Sequence, residues 1–548
     1  MMVSRSILRY ALSMCFSLCV FGGAWATDVT TYHNDIARTG QNREETILTL
    51  SNVNSSSFGK LLTLPVDSVI DAEPVYLYAL SIPGQGTHNV VYTVTENDSA
   101  YAFDADTGTL LWHTSVLGSG ETPSDTHSCS QITPTIGITS TPVIDPKLGP
   151  HGTIFLVAMS KNSSSTYFQR IHALDAATGK EQPGSPITVQ GKYPGTGDGS
   201  QGGYVIFDPY QYAERQGLLL LNHVVYTAWT SHCDERPYTG WVIGYNETTG
   251  AQTSVIDLTP NGNEGAVWQA GAGIASDGSN IFLLDANGTF DTTLNSQGFP
   301  SQGDFGNGFV RLSTTNDSLA VADYFEMYDT VQESDSDVDL GSGGEIVLPT
   351  MKDSNGNPHE LAIGAGKDSN IYIVDRTNMG KFNPNNDNAI YQEIDGALSG
   401  GVWSAPAYYE GNIYYGPVNN NLLQFKFTDA KLSTSPVSSS TASFPYPGST
   451  PSISANGSQN GIVWAIEHSS PSVLHAYNAS NLKNELYNSN QAPNGRDQFG
   501  SASHFGTPMI VNGKVYVGTT NSVVVFGLLG DKQEVFPDKV SDHFFPMR

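Results

Sequence analysis

Eight copies of one short pattern run the length of this chain, and the repetition limits its fold more than any other feature. The clearest copy occupies 90–94 (VVYTV), 99–104 (SAYAFD), the turn Asp106-Thr107-Gly108, and 110–112 (LLW). It reads as strand, turn, strand, tight turn, strand, with apolar alternation giving each strand one buried face. Asp and Gly suit the last connection, since glycine accepts positive φ and aspartate bonds to its own turn. Further copies pair 153–157 with 171–179, 224–228 with 241–250, and 280–284 with 308–312. The rest pair 361–366 with 370–375, 412–416 with 422–425, 461–465 with 473–477, and 514–519 with 522–526. Short strands with proline and small residues precede several, at 140–144, 404–408 and 507–511. Four strands per copy make the blade of a propeller. The eighth copy ends at Leu528-Leu529 without a fourth strand, while 60–66 is a strand with no blade of its own. An all-β, eight-bladed propeller follows, its ring closed by that N-terminal strand. Seven blades is the alternative, because the fourth and sixth copies are degraded.

The expected boundaries are a signal peptide at 1–26, an N-terminal extension at 27–58, the propeller at 59–529 and a tail at 530–548. Arg5 and Arg9 precede an apolar stretch, and Ala24-Trp25-Ala26 reads as a cleavage site. Gly22-Gly23 interrupts the stretch before the ~18 apolar residues a membrane anchor needs. Met14 before Cys15 and Leu18 before Cys19 do not suit lipid modification. The mature chain is therefore expected to be secreted or periplasmic and monomeric, with no membrane span. Cleavage leaves Cys129 and Cys233, and an oxidising compartment favours a disulfide between them. His127 and His232 nearby leave a Cys/His metal site as an alternative, and free thiols as another. Lys and Arg number 25 against 53 acids, a formal charge of −28. Such a surface repels nucleic acid and anionic lipid.

The unit at 101–112 (YAFDADTGTLLW) resembles the repeat of pyrroloquinoline quinone (PQQ) propellers, a family that includes quinoprotein alcohol dehydrogenases and an outer-membrane assembly lipoprotein. Tyr32-His33-Asn34-Asp35 with Arg38-Thr39-Gly40, the stretch 339–344 and the stretch 364–367 resemble exported bacterial PQQ-like repeat proteins. The resemblance implies a scaffold that hosts both enzymes and binding modules. For the enzymes it implies a quinone held flat, Ca²⁺ polarising its carbonyl, and a carboxylate base. This chain lacks the family's adjacent-cysteine clamp and any C-x-x-C-H haem site after the leader. Glu264, Asn287 and Asp339 offer oxygens for calcium, but no family motif fixes them.

Other catalytic signatures are missing: no G-x-S-x-G, no P-loop and no H-E-x-x-H. The acidic run at 335–339 has Leu340 where an EF-hand needs glycine and Ile346 where it needs glutamate, so a solvated loop is expected. About 59 residues fall to each blade, against about 40–45 in compact repeats, so the surplus lies in loops. His232, Asp234 and Arg236 sit in one long connection, with Glu264 and Trp268 in the next, and Asp339, Lys367, Arg376 and Trp403 later. If these loops converge on the channel they form a polar ligand site. Otherwise the tryptophans pack blades and the charges are satisfied within their loops. The sequence favours an exported, non-catalytic binding or scaffold propeller with a protein or glycan ligand. The alternative is a PQQ- and calcium-dependent dehydrogenase of alcohols or sugars.

Overall fold

The computed structural model describes residues 27–530 except 316 and 317. The expected signal peptide and nearly all of the expected tail lie outside the described residues. Eight sheets, each with a core of four antiparallel strands, stand around a common axis as an eight-bladed β-propeller. The fourth and sixth sheets are complete, so the seven-bladed alternative falls.

Local chemistry explains the blade. In the first, Val75–Ile82, Gly86–Thr95, Ser99–Asp104 and Leu110–Ser115 run from the axis outward. The hairpin between the outer two turns on Asp104, whose Oδ1 accepts from the N–H groups of Asp106 at 2.9 Å and Thr107 at 2.6 Å. Gly108 supplies the positive φ of +77°. Asp175 with Gly179 and Asn246 with Gly250 repeat the device in the next two blades. Neighbouring blades lock through buried polar tips: Tyr92 Oη and Trp112 Nε1 both donate to the Ala176 carbonyl at 3.0 Å.

The ring closes as the sequence predicts. Strand Phe58–Pro65 pairs antiparallel with Ser522–Leu528, placing Leu64 opposite Val523 and Phe58 opposite Leu528. The eighth blade is therefore built from both ends of the described chain, and Ser522–Leu528 is paired on both sides.

Residues before that strand are woven into the ring. Backbone bonds join Val29 to Tyr76, Thr30 to Ile144, Ile36 to Ser276, Ala37 to Val347, Thr39 to Tyr408 and Gly40 to Ile453. Arg38, fully buried, donates to Leu218 O at 3.1 Å and Ile274 O at 2.9 Å, and Asn42 Nδ2 reaches Ile510 O at 3.0 Å. The segment thus touches the innermost strand of all eight blades. It meets them near the short turns at 277–279 and 410–411, and so plugs the channel from that face. The His33 and Arg38 motif is the plug's core, since His33 Nε2 also bonds Pro451 O at 2.9 Å.

Candidate functional site

The opposite face carries the long connections, and a cavity of about 280 Å³ opens there at the axis. Loops between the first and sixth blades wall it. Eight of the residues singled out from sequence line it: Cys129, His232, Cys233, Asp234, Trp268, Asp339, Lys367 and Trp403. Trp268 and Trp403 are cavity walls, and the packing-only reading of them falls.

Cys129 and Cys233 form a disulfide, with Cα atoms 5.6 Å apart across 104 positions. It ties the connection after the first blade to the loop at 231–237 in the third. Beside it the rings of His127 and His232 stack with centroids 4.1 Å apart. Burial and the neighbouring His127 push His232 down to about 3, so it is a neutral imidazole.

The cavity's charged centre is Lys367. Its Nζ lies 2.6 Å from Asp339 Oδ1 and 2.5 Å from Asp337 Oδ1. Asp339 is 1% exposed and also accepts from Trp268 Nε1 at 3.0 Å. Burial raises its carboxyl, while Lys367 and the indole N–H oppose the rise. Burial alone would lower Lys367, but Asp339 and Asp337 reverse that and raise it. The acidic run is thus only partly a solvated loop. Asp337 is exposed, Asp339 is buried, and 330–335 form the short helix Thr330–Asp335. The lysine ammonium stands 5.8 Å from the ring of Trp268 and 6.0 Å from Trp403, a cation shared by two indoles.

Three residues singled out from sequence lie elsewhere. Arg236 is half exposed on the rim, clamped by Asp198 through bonds of 2.6 and 2.8 Å. Glu264 takes a φ of +62° and bridges Thr239 and Gly288, shaping a wall without lining the cavity. Arg376 is on the plugged face, bonded to Asp277 at 3.1 Å and to Glu360. It follows a strand whose exit points the other way, and loop order alone does not reveal that.

Arg215 lines the cavity and was not singled out from sequence. The signal was there: Glu214-Arg215 are charges at the head of an apolar inner strand, LLLL at 218–221. Asn287, considered from sequence only as a calcium ligand, lines the cavity as well. Its Nδ2 donates to Asp337 Oδ1 at 2.8 Å, while its buried Oδ1 has no hydrogen-bond partner.

Two groups implied by the resemblance can be tested against these walls. A flat quinone fits: indole faces, an arginine and a lysine surround a cavity of small-molecule size. A divalent cation fits poorly. Calcium takes about six to eight oxygens, yet Asp337 and Asp339 each already give an oxygen to the Lys367 ammonium. Among the described residues no cluster of three or more His, Cys, Asp or Glu is arranged to hold a metal.

No protein-family model and no curated protein matches the chain in sequence. Solved structures do match in three dimensions. Quinohemoprotein alcohol dehydrogenase from Comamonas testosteroni aligns with TM-score 0.61 at 14% identity, covering 92% of this chain and 81% of that one. Quinohemoprotein alcohol dehydrogenase ADHIIG from Pseudomonas putida HK5 gives 0.59 at 13%, with coverage of 92% and 81%. A europium-containing methanol dehydrogenase gives 0.57 at 12%, covering 91% and 98%. At such identities the likeness establishes the fold alone: this chain shares the β-propeller architecture of those dehydrogenases.

Proposed function

We propose that this protein is an exported PQQ-like propeller that binds one small, flat, polar molecule in its axial cavity, using the long loops of one face. The observation that carries this is the convergence of Trp268, Trp403, Lys367 and the Cys129–Cys233 disulfide on one cavity. Indoles give a flat ligand its contact area, and polar groups among them set its orientation. A cavity this small favours such a ligand over the protein or glycan first expected from the loops. The leader-like N-terminus and the disulfide both support export. The acidic surface disfavours nucleic acid.

A second reading, a quinoprotein dehydrogenase, is favoured by Asp339. A carboxylate on the cavity wall, raised by burial and steadied by Lys367, is placed to take the proton of a substrate hydroxyl. A bound quinone would supply the two-electron acceptor. Lys367 and the Trp268 N–H hold the Asp339 carboxylate in position, and the plug limits water entry to the loop face.

Purified protein incubated with PQQ, with and without Ca²⁺ or a lanthanide, separates the two. Quinone absorbance that survives dialysis, without dye reduction on alcohols or sugars, is the result expected of a binding module. Dye reduction abolished by Asp339→Asn establishes the dehydrogenase. No retained quinone at high micromolar cofactor sinks the dehydrogenase.

A further inference from the structure

Arg215 is the one described arginine whose guanidinium makes no hydrogen bond and no ion pair. The others bond to carbonyls or carboxylates, as Arg38, Arg170, Arg236, Arg311 and Arg496 show. Arg215 is nevertheless only 7% exposed. Its guanidinium carbon sits 4.6 Å from the ring centre of Phe505 and 5.8 Å from that of Trp268, and the side chain lines the axial cavity. Five N–H donors in a rigid fork are therefore held by aromatic faces and left without acceptors.

The surrounding acids do not supply the missing partner. Asp71 and Glu96 act on Arg215 through space, but neither comes within ion-pair distance. Burial and the adjacent Asp71 push the Glu96 carboxyl up to about 10, so it holds its proton at neutral pH. Lys367, the cavity's other cation, is by contrast satisfied by two carboxylates. A buried cation without a direct ion pair is unfavourable in the empty protein. Protein charges left so are characteristic of binding sites, where a ligand completes the pair.

We infer that Arg215 is the specificity-determining residue of the axial cavity, anchoring a carboxylate on the ligand's flat ring. The inference rests on the axial cavity being the ligand site, and it narrows the ligand to aromatic carboxylates. In a chain of formal charge −28, general electrostatics repel anions, so selection for one must come from a local cation. Both Arg215 and Lys367 stand 5.8 Å from the Trp268 ring, so a ring stacked there meets the free guanidinium and the neutralised ammonium together.

The test compares wild type, Arg215→Lys and Arg215→Met with three probes, following tryptophan fluorescence and thermal melting. The probes are PQQ, its uncharged trimethyl ester, and pyridine-2,6-dicarboxylate. Wild type is expected to bind PQQ about tenfold to a hundredfold more tightly than the ester, the range of a charge-assisted hydrogen bond. Arg215→Met should erase that preference, and Arg215→Lys should restore part of it. Arg215→Met without ligand should melt no lower than wild type, because it removes an unpaired buried charge. Equal binding of acid and ester by wild type, or a preference that survives in Arg215→Met, overturns the inference. If PQQ fails to bind but pyridine-2,6-dicarboxylate binds in an Arg215-dependent way, the anchor stands and the quinone reading falls. If neither acid binds in an Arg215-dependent way, the anchor falls.

Discussion

Lys367 is the residue on which the cavity wall turns. Replacing it with methionine keeps most of the volume but leaves Asp339 buried without its cation. Breaking such a pair costs about 3–5 kcal/mol, measurable by urea unfolding. The loss should be smaller at pH 5 than at pH 8, because a proton on Asp339 then removes the unpaired charge. A second pair sets behaviour in acid. Glu121 is held down to about 2, first by its hydrogen bonds to Arg170, at 2.7 and 2.8 Å. Its stabilisation is full above the ordinary value of 4.5 and is lost as pH falls from there towards 2. Arg170→Met should thus be less stable than wild type at pH 7, with the two urea midpoints converging below pH of about 3. Residue identity was legible from sequence where a loop held an isolated Trp, Asp or Lys, as at 268, 339 and 367. Arg215 was hidden because it heads a strand, where a charge reads as an ordinary strand end.

The strand that closes the ring joins the two ends of the described chain, so its packing should matter out of proportion to its length. Leu64 on that strand is 1% exposed, and Leu64→Asp should lower stability by about 3 kcal/mol or more. A change in thermal melting no larger than that of an exposed-site control would contradict this closure. The disulfide belongs to the same scale. Removing it as Cys129→Ala with Cys233→Ala should cost about 4–5 kcal/mol in the chain-entropy view. Circular dichroism should stay β-rich, since all eight sheets pair without it. The closure was readable because it needs only local patterns: an unfinished last copy and a spare first strand. Blades four and six were harder. A loop from 285 to 308 separates the middle strands of the fourth, and in the sixth one long strand, Asn420–Thr428, serves three partners. The plug at 29–42 showed as the motif around His33 and Arg38 but not as a plug, because its partners are backbone groups on eight separate strands.

Across the whole molecule, burial of acids shapes the response to pH. Glu73 and Glu345 are raised to about 8 and Asp257 to about 7, each chiefly by burial. The folded state therefore binds more protons than the unfolded one between about pH 4.5 and 8, so stability falls as pH rises through that window. The formal charge of −28 works the same way through self-repulsion. Urea midpoints should be higher at pH 5 than at pH 8.5, and a flat or rising profile would contradict the burial of these acids. The propeller was written in the repeats, and the face that carries the axial cavity was written in the surplus of its loops. The direction of each loop was not, and so Arg376 was placed on the wrong face. The most direct test of the axial site is a fluorescence titration of wild type and Trp268→Leu with PQQ. The expected result is saturable quenching at one molecule per chain in wild type, weakened at least tenfold in the variant. Quenching that does not saturate, or that is unchanged by the variant, would place the ligand outside the axial cavity.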